Sequence, residues 1–147
     1  MESIEADWER ELHSSGLRLT TQRLVVLRIL RRLGMAKPDE VYRAAALELP
    51  NLSESTVYRV LDALSQARLV THVHFDHSSP TYRLATADSP VHLVCRICLK
   101  REEMSVDDLE HLVRELRATT GFDIDVSHIA WHGICRACND PYARMAL

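Results

Sequence analysis

Residues 53–75, SESTVYRVLDALSQARLVTHVHF, change their hydrophobic period halfway along the stretch. The first part has the i, i+3, i+4 and i+7 spacing of an amphipathic helix, carried by Val57, Val60, Leu61 and Leu64. Ser53 or Ser55 can accept the hydrogen bonds that start this helix. The second part alternates between apolar and polar residues as a strand does, and residues 81–84 return after a turn at 76–80. The stretch therefore predicts a helix followed by a β-hairpin.

Three further helices are predicted ahead of this one. A short amphipathic helix covers residues 4–14, a second lies between residues 20 and 34 and ends at a glycine, and a third lies between residues 37 and 50 with a proline near each end. Helices followed by a hairpin in this order are typical of a winged helix-turn-helix domain. We predict that domain over residues 1–84.

The remainder of the chain predicts a second, smaller domain. Residues 85–90, ATADSP, are small and polar and end in proline, which is typical of a hinge. The patterns beyond it predict short strands at 91–94, 101–104 and 123–129, and a helix at 106–119. The predicted fold class is α+β, with the winged helix followed by a small α/β dimerisation and metal-binding domain over residues 91–147.

Length and charge limit the possible functions. The chain has 147 residues and a net charge of −3, but residues 17–70 carry nine basic against five acidic side chains, whereas residues 85–147 carry seven against ten. This difference in charge suggests that the two halves of the chain have different functions. No apolar run approaches the roughly 20 residues that span a bilayer, and the acidic start differs from a signal peptide. We therefore expect a cytoplasmic protein with no membrane partner.

Four cysteines form two Cys-x-x-Cys pairs, Cys95 with Cys98 and Cys135 with Cys138. Thiols stay reduced in the cytosol, so metal binding is favoured over disulfides. Two such pairs supply the four soft, tetrahedral ligands of a structural zinc ion. We expect a closed Zn²⁺ site that stabilises the fold, with redox-active or merely buried thiols as the alternative.

Histidines suggest a second, exchangeable metal. His72 and His74 lie two residues apart on a predicted strand and therefore share one face. Further ligands must come from elsewhere, and His128, His92 and Glu110 are the candidates. Imidazole and carboxylate ligands suit Ni²⁺, Zn²⁺ or Fe²⁺. The alternative is a solvated or DNA-facing hairpin, with Glu110 merely solvated on a helix surface.

The polar face of the fourth helix is a candidate DNA-reading surface, formed by Ser55, Thr56, Tyr58 and Arg59. A neighbouring turn adds Arg18, Gln22 and Arg23. Winged helices also serve as protein-binding modules, but the basic character of this face favours double-stranded DNA.

Five motifs occur in order along nearly the whole chain: GLRLTTQR at 16–23, STVYRVL at 55–61, LV at 69–70, HLVCxxC at 92–98, and GF at 121–122 followed by His128 and GxCxxC at 133–138. On these motifs the chain resembles the ferric uptake regulator superfamily. The resemblance implies a homodimeric, metal-responsive transcriptional regulator, with Arg18 in a minor groove, Tyr58 and Arg59 on bases and phosphates, and zinc on the four cysteines.

Within the superfamily, His72, His74 and His128 are most similar to the nickel-responsive branch. The chain also departs from the family pattern. Where relatives often supply a histidine and a carboxylate for a second site, it has Met35 and Arg83, and only His92 and Asp88 are left of the run before the first cysteine pair.

We therefore expect a repressor of metal-homeostasis or oxidative-stress genes that binds palindromic operators when metal is bound. A regulator with an eroded sensory site, independent of metal, is the main alternative. A zinc enzyme using His72, His74 and His128 is less favoured, since no motif supplies a pocket or a general base. No enzymatic activity and no small-molecule substrate are expected.

Overall fold

The computed structural model describes residues 2–75, 78–86, 89–128 and 130–140. His77, Asp88 and parts of the predicted turn, hinge and last strand lie outside these residues. The described residues contain no helix that is both long enough and apolar enough to cross a bilayer.

Two units make up the chain, residues 1–72 with 78–85, and residues 73–77 with 86–147. The first unit contains four helices, α1 (Glu2–Ser14), α2 (Thr21–Leu33), α3 (Pro38–Glu48) and α4 (Glu54–Gln66). The Thr20 and Ser53 side chains accept the backbone N–H of the third residue along and so start α2 and α4. Gly34, at φ 76°, ends α2 in a conformation that a side chain would strain.

The core of the first unit lies between these helices. Leu27, Leu30, Val41, Val57 and Leu61 are fully buried there. They are the residues that the 3.6-residue period places on the inner faces of α2, α3 and α4. Burial of these faces leaves the polar side of α4 exposed.

A three-stranded sheet completes the first unit. It is formed by β1 (Met35–Ala36), β2 (Val70–Val73, of which the last residue belongs to the second unit) and β3 (Thr81–Leu84), in the order β1-β3-β2. β1 pairs antiparallel with β3, with Met35 opposite Arg83 and Ala36 opposite Tyr82. Helices followed by this small sheet confirm the predicted winged-helix fold. β1 was not predicted, because two residues are too short to show alternation.

The second unit is a small α/β fold. Its sheet contains β4 (Val91–Cys95), β5 (Arg101–Met104) and β6 (Trp131–Gly133), in the order β5-β4-β6. β5 is antiparallel to β4 and β6 is parallel to it. A 3₁₀ helix (Asp107–Leu109), α5 (Glu110–Thr120) and α6 (Arg136–Asn139) complete the unit.

The strand predicted over residues 123–129 is wrong for its described part. Residues 123–128 form no strand, and the strand of this region is β6 instead. The Asp125 carboxylate accepts hydrogen bonds from the backbone N–H and the hydroxyl of Ser127, at 3.0 and 2.7 Å. This local bonding turns the chain, whereas the alternation of Ile124 and Val126 is typical of an extended strand.

Candidate metal centres and nucleic-acid interface

Four sulfur atoms meet in the second unit. Cys95 ends β4, Cys98 follows it in a turn, Cys135 precedes α6 and Cys138 lies within that helix. Their Sγ atoms all lie within 4.8 Å of one another, and the Sγ atoms of Cys98 and Cys135 are 3.7 Å apart. The two predicted pairs therefore form one cluster.

Electrostatics in this cluster favour a thiolate at Cys95. The backbone N–H groups of Ile97 and Cys135 donate to the Cys95 sulfur at 3.5 and 3.4 Å. Hydrogen bonds from the backbone, first that of Cys135, lower the pKa of the Cys95 thiol to about 6. The neighbouring sulfurs of Cys98 and Cys135 raise the pKa of the Cys138 thiol to about 12. Four sulfur atoms within 4.8 Å of one another fit a Zn²⁺ ion, which binds cysteine as the thiolate.

A pair of imidazoles lies elsewhere in the second unit. The ring centroids of His74 and His128 are 5.7 Å apart, and the two rings lie edge to face. The backbone N–H of Ala130, two residues after His128, donates to the carbonyl oxygen of His74 at 3.2 Å. This hydrogen bond keeps the backbone of His74 close to the segment that carries His128. Both side chains are partly exposed. This pair offers two nitrogen ligands to one ion.

His72 lies two residues before His74, on β2 in the first unit. Its ring centroid is 5.3 Å from that of Tyr82 on β3. The His72 side chain is partly exposed.

The structure places the other two predicted ligands apart from this pair. His92 is 3% exposed, and its Nδ1 lies 3.5 Å from the Glu103 carboxylate. Its ring packs edge to face against Phe75, at 5.1 Å between centroids, and the Arg101 guanidinium covers Phe75 at 4.1 Å. Glu110 pairs with Arg114 at 2.8 Å on the surface of α5. Within the described residues, no group of three clustered ligating side chains includes His92 or Glu110.

The candidate nucleic-acid interface is the exposed side of α4 with the start of α2. A groove of about 400 Å³ there is lined by Thr20, Gln22, Arg23, Thr56, Arg59 and Val60. It brings together four of the seven predicted DNA-contacting residues. Ser55, Tyr58 and Arg18 are exposed. The Arg23 guanidinium donates to the carbonyl oxygen of Arg18, which ties the turn before α2 to the helix.

Three residues with structural consequences for these sites were not singled out as site residues from the sequence. Ser53 contacts the hydroxyls of Ser55 and Thr56 at 3.0 and 2.8 Å. Phe75 and Tyr82 pack against histidines, as described above. Alternation along the hairpin could have drawn attention to the two aromatic residues, but it does not reveal which rings meet across strands.

A winged-helix unit followed by a small α/β unit with a four-cysteine cluster defines a class of DNA-binding fold with a candidate structural metal site. The chain belongs to the Ferric uptake regulator family, whose sequence model matches residues 14–132. The Ferric uptake regulation protein of Bordetella parapertussis is 33% identical over 132 residues, which cover 88% of this chain and 95% of the relative.

Solved structures agree with this assignment. The ferric uptake regulator Fur of Helicobacter pylori has a TM-score of 0.69 at 24% identity and covers 95% of this chain and 93% of its own, which shows the shared fold. A zinc uptake regulator complexed with zinc and DNA has a TM-score of 0.65 at 27% identity, with 97% of each chain covered.

Proposed function

We propose that this protein is a metal-responsive transcriptional regulator of the cytoplasm that binds operator DNA as a homodimer when His72, His74 and His128 hold a divalent ion. The observation that carries the proposal is the His74–His128 pair, at 5.7 Å between ring centroids, with His72 two residues before His74 in the chain. Domain boundaries are proposed near residues 84 and 91, with residues 85–90 as the hinge.

DNA binding is supported by the exposed face of α4. Its polar side chains lie along a groove shared with Gln22 and Arg23 at the start of α2. A helix of this kind enters a major groove with its first residues on base edges, while basic neighbours contact phosphates. Tyr58 and Arg59 are the proposed base and phosphate contacts, and Arg18 is the proposed minor-groove contact.

The proposed ion is Ni²⁺, with Zn²⁺ and Fe²⁺ as alternatives. A site of three imidazoles suits a metal ion that exchanges with the free metal ions of the cell. The four cysteines suit a permanently bound structural Zn²⁺. His92 and Glu110 are weaker candidates for this site, since each already has a charged partner in the second unit.

Coordination by residues of both units would couple their orientation to metal binding. His72 belongs to the first unit, and His74 and His128 belong to the second. One ion shared among them favours a single arrangement of the two units, and in a dimer this sets the spacing of two α4 helices to about 34 Å, one turn of DNA. Binding to a palindromic promoter would then repress transcription of metal-homeostasis or oxidative-stress genes.

Homodimer formation is supported by α5. The apolar residues of the segment predicted as this helix, Val106, Leu109, Leu112, Val113 and Leu116, share one face of the pattern, yet α5 contains no buried residue in the single chain. A second copy that covers this face would remove it from water.

The test begins with selections of duplexes from a random library by the zinc-loaded protein, run separately with Ni²⁺, with Zn²⁺ and, under anaerobic conditions, with Fe²⁺. Fluorescence anisotropy then measures the affinity for a selected duplex with Ni²⁺, with Zn²⁺, with Fe²⁺ under anaerobic conditions, or with a chelator too weak to remove cysteine-bound zinc. We expect the favoured ion to raise affinity about 5–150-fold. His74→Ala and His128→Ala should abolish this gain, and His132→Ala, at an exposed histidine of β6, is the matched control.

Equal affinity with and without every metal would reject the metal switch and favour a regulator with an eroded sensory site. No selection of any duplex would reject DNA binding itself.

A further inference from the structure

Tyr82 connects a proposed metal ligand to the protein core. Its ring lies 5.3 Å from the His72 ring, with 40° between the ring planes. The same side chain packs against the buried cluster formed by the helices, and its backbone lies opposite Ala36 of β1. One side of the His72 imidazole is therefore held by a ring that the core itself restrains.

We propose that Tyr82 is a positioning residue, which orients the His72 imidazole for ion binding. This inference rests on the proposed function. A ligand held by a neighbouring ring loses less conformational entropy when it binds an ion, and such outer partners affect metal affinity.

The experiment compares three variants of the full-length, zinc-loaded protein. Tyr82→Leu removes the ring, Tyr82→Phe keeps it, and Tyr42→Leu removes a partly buried ring of α3 that packs against the same core. Thermal melting establishes that each variant is folded. Ni²⁺ affinity is measured by competition with a chelator, and the absorption spectrum of bound Co²⁺ reports the ligand geometry. The gain in DNA affinity on Ni²⁺ addition is measured with the selected duplex.

We expect Tyr82→Leu to weaken Ni²⁺ binding by about 10-fold or more, to change the Co²⁺ spectrum, and to reduce the Ni²⁺-dependent gain in DNA affinity to less than about 2-fold. Tyr82→Phe should restore all three, and Tyr42→Leu should resemble the wild type.

Wild-type Ni²⁺ affinity in Tyr82→Leu overturns the inference, as does failure of Tyr82→Phe to rescue, or an equal loss in Tyr42→Leu. If the wild type itself binds DNA without regard to Ni²⁺, the proposed function fails. The Ni²⁺ affinities and Co²⁺ spectra then still decide whether Tyr82 orients His72.

Discussion

Replacement of Cys95 by serine should unfold the second unit while leaving the first intact. Cys95 is 4% exposed, and two backbone N–H groups point at its sulfur. Serine offers a harder, less acidic ligand at this position, so Zn²⁺ would lose one of four thiolates and bind far more weakly.

The magnitude follows from the apolar cores of the two units. Among the described residues, seventeen buried side chains form the core of the first unit, whereas the buried apolar residues of the second are the seven from Val73 onward: Val73, Phe75, Val91, Val94, Cys95, Val126 and Ala130. Burial of so few side chains contributes on the order of 10 kcal/mol before the conformational entropy of the chain is subtracted. Structural Zn²⁺ contributes about 10–16 kcal/mol in small domains. A Zn²⁺ ion on the four cysteines would therefore stabilise the second unit about as much as its core does.

Hydrogen exchange followed by mass spectrometry measures this effect segment by segment. Protection should disappear in β4 and β6 of Cys95→Ser, or of the wild type after zinc removal by a strong chelator, and should persist in α2 and α4. His132→Ala, on the neighbouring strand β6, is the control and should keep its zinc and its protection. Slow exchange in β4 and β6 of a variant shown by elemental analysis to be zinc-free would refute the reasoning.

Three further predictions concern the first unit. Ser53→Ala removes the N-cap of α4 and should lower the free energy of unfolding by about 1 kcal/mol in urea denaturation; unchanged stability would contradict the role of the cap. Arg59→Ala should reduce the slope of log affinity against log salt by about 1 in DNA titrations, and an unchanged slope would exclude a phosphate contact. Because burial, Asp62 and Tyr58 raise the Tyr82 pKa above its ordinary value of 10.0, the folded state holds this proton more tightly than the unfolded state. This stability is present below the unfolded pKa and is lost as pH rises through the folded pKa, so Tyr82→Phe should lose less stability than the wild type as pH rises above about 10. Equal losses would show that Tyr82 does not titrate in this way.

Local sequence patterns were sufficient to predict the elements whose conformation depends mainly on residues close together in the chain. The periods of α2, α3 and α4, the caps at Thr20 and Ser53 and the glycine after α2 predict these helices, and the structure places them within a few residues of the prediction. The spacing within each Cys-x-x-Cys pair likewise predicts that its two sulfurs lie together, whereas the pairing of β4 with β6 brings the two pairs to one place.

The same reasoning failed where a local contact outweighed the pattern. Residues 123–128 alternate, yet the Asp125 carboxylate bonds to Ser127 and turns the chain. Alternation records which residues are apolar, and it carries no information about a competing side-chain hydrogen bond.

By itself the sequence determined the winged helix, the helices of the first unit and the four thiol ligands, since these depend on spacing along the chain. Only the tertiary structure decided which histidines have neighbours: His74 beside His128, His72 beside Tyr82, and His92 buried against Phe75 and Glu103. The physical reason is that these partners lie on different strands and loops. Their contacts depend on strand register and on core packing, which no short-range pattern of residues encodes.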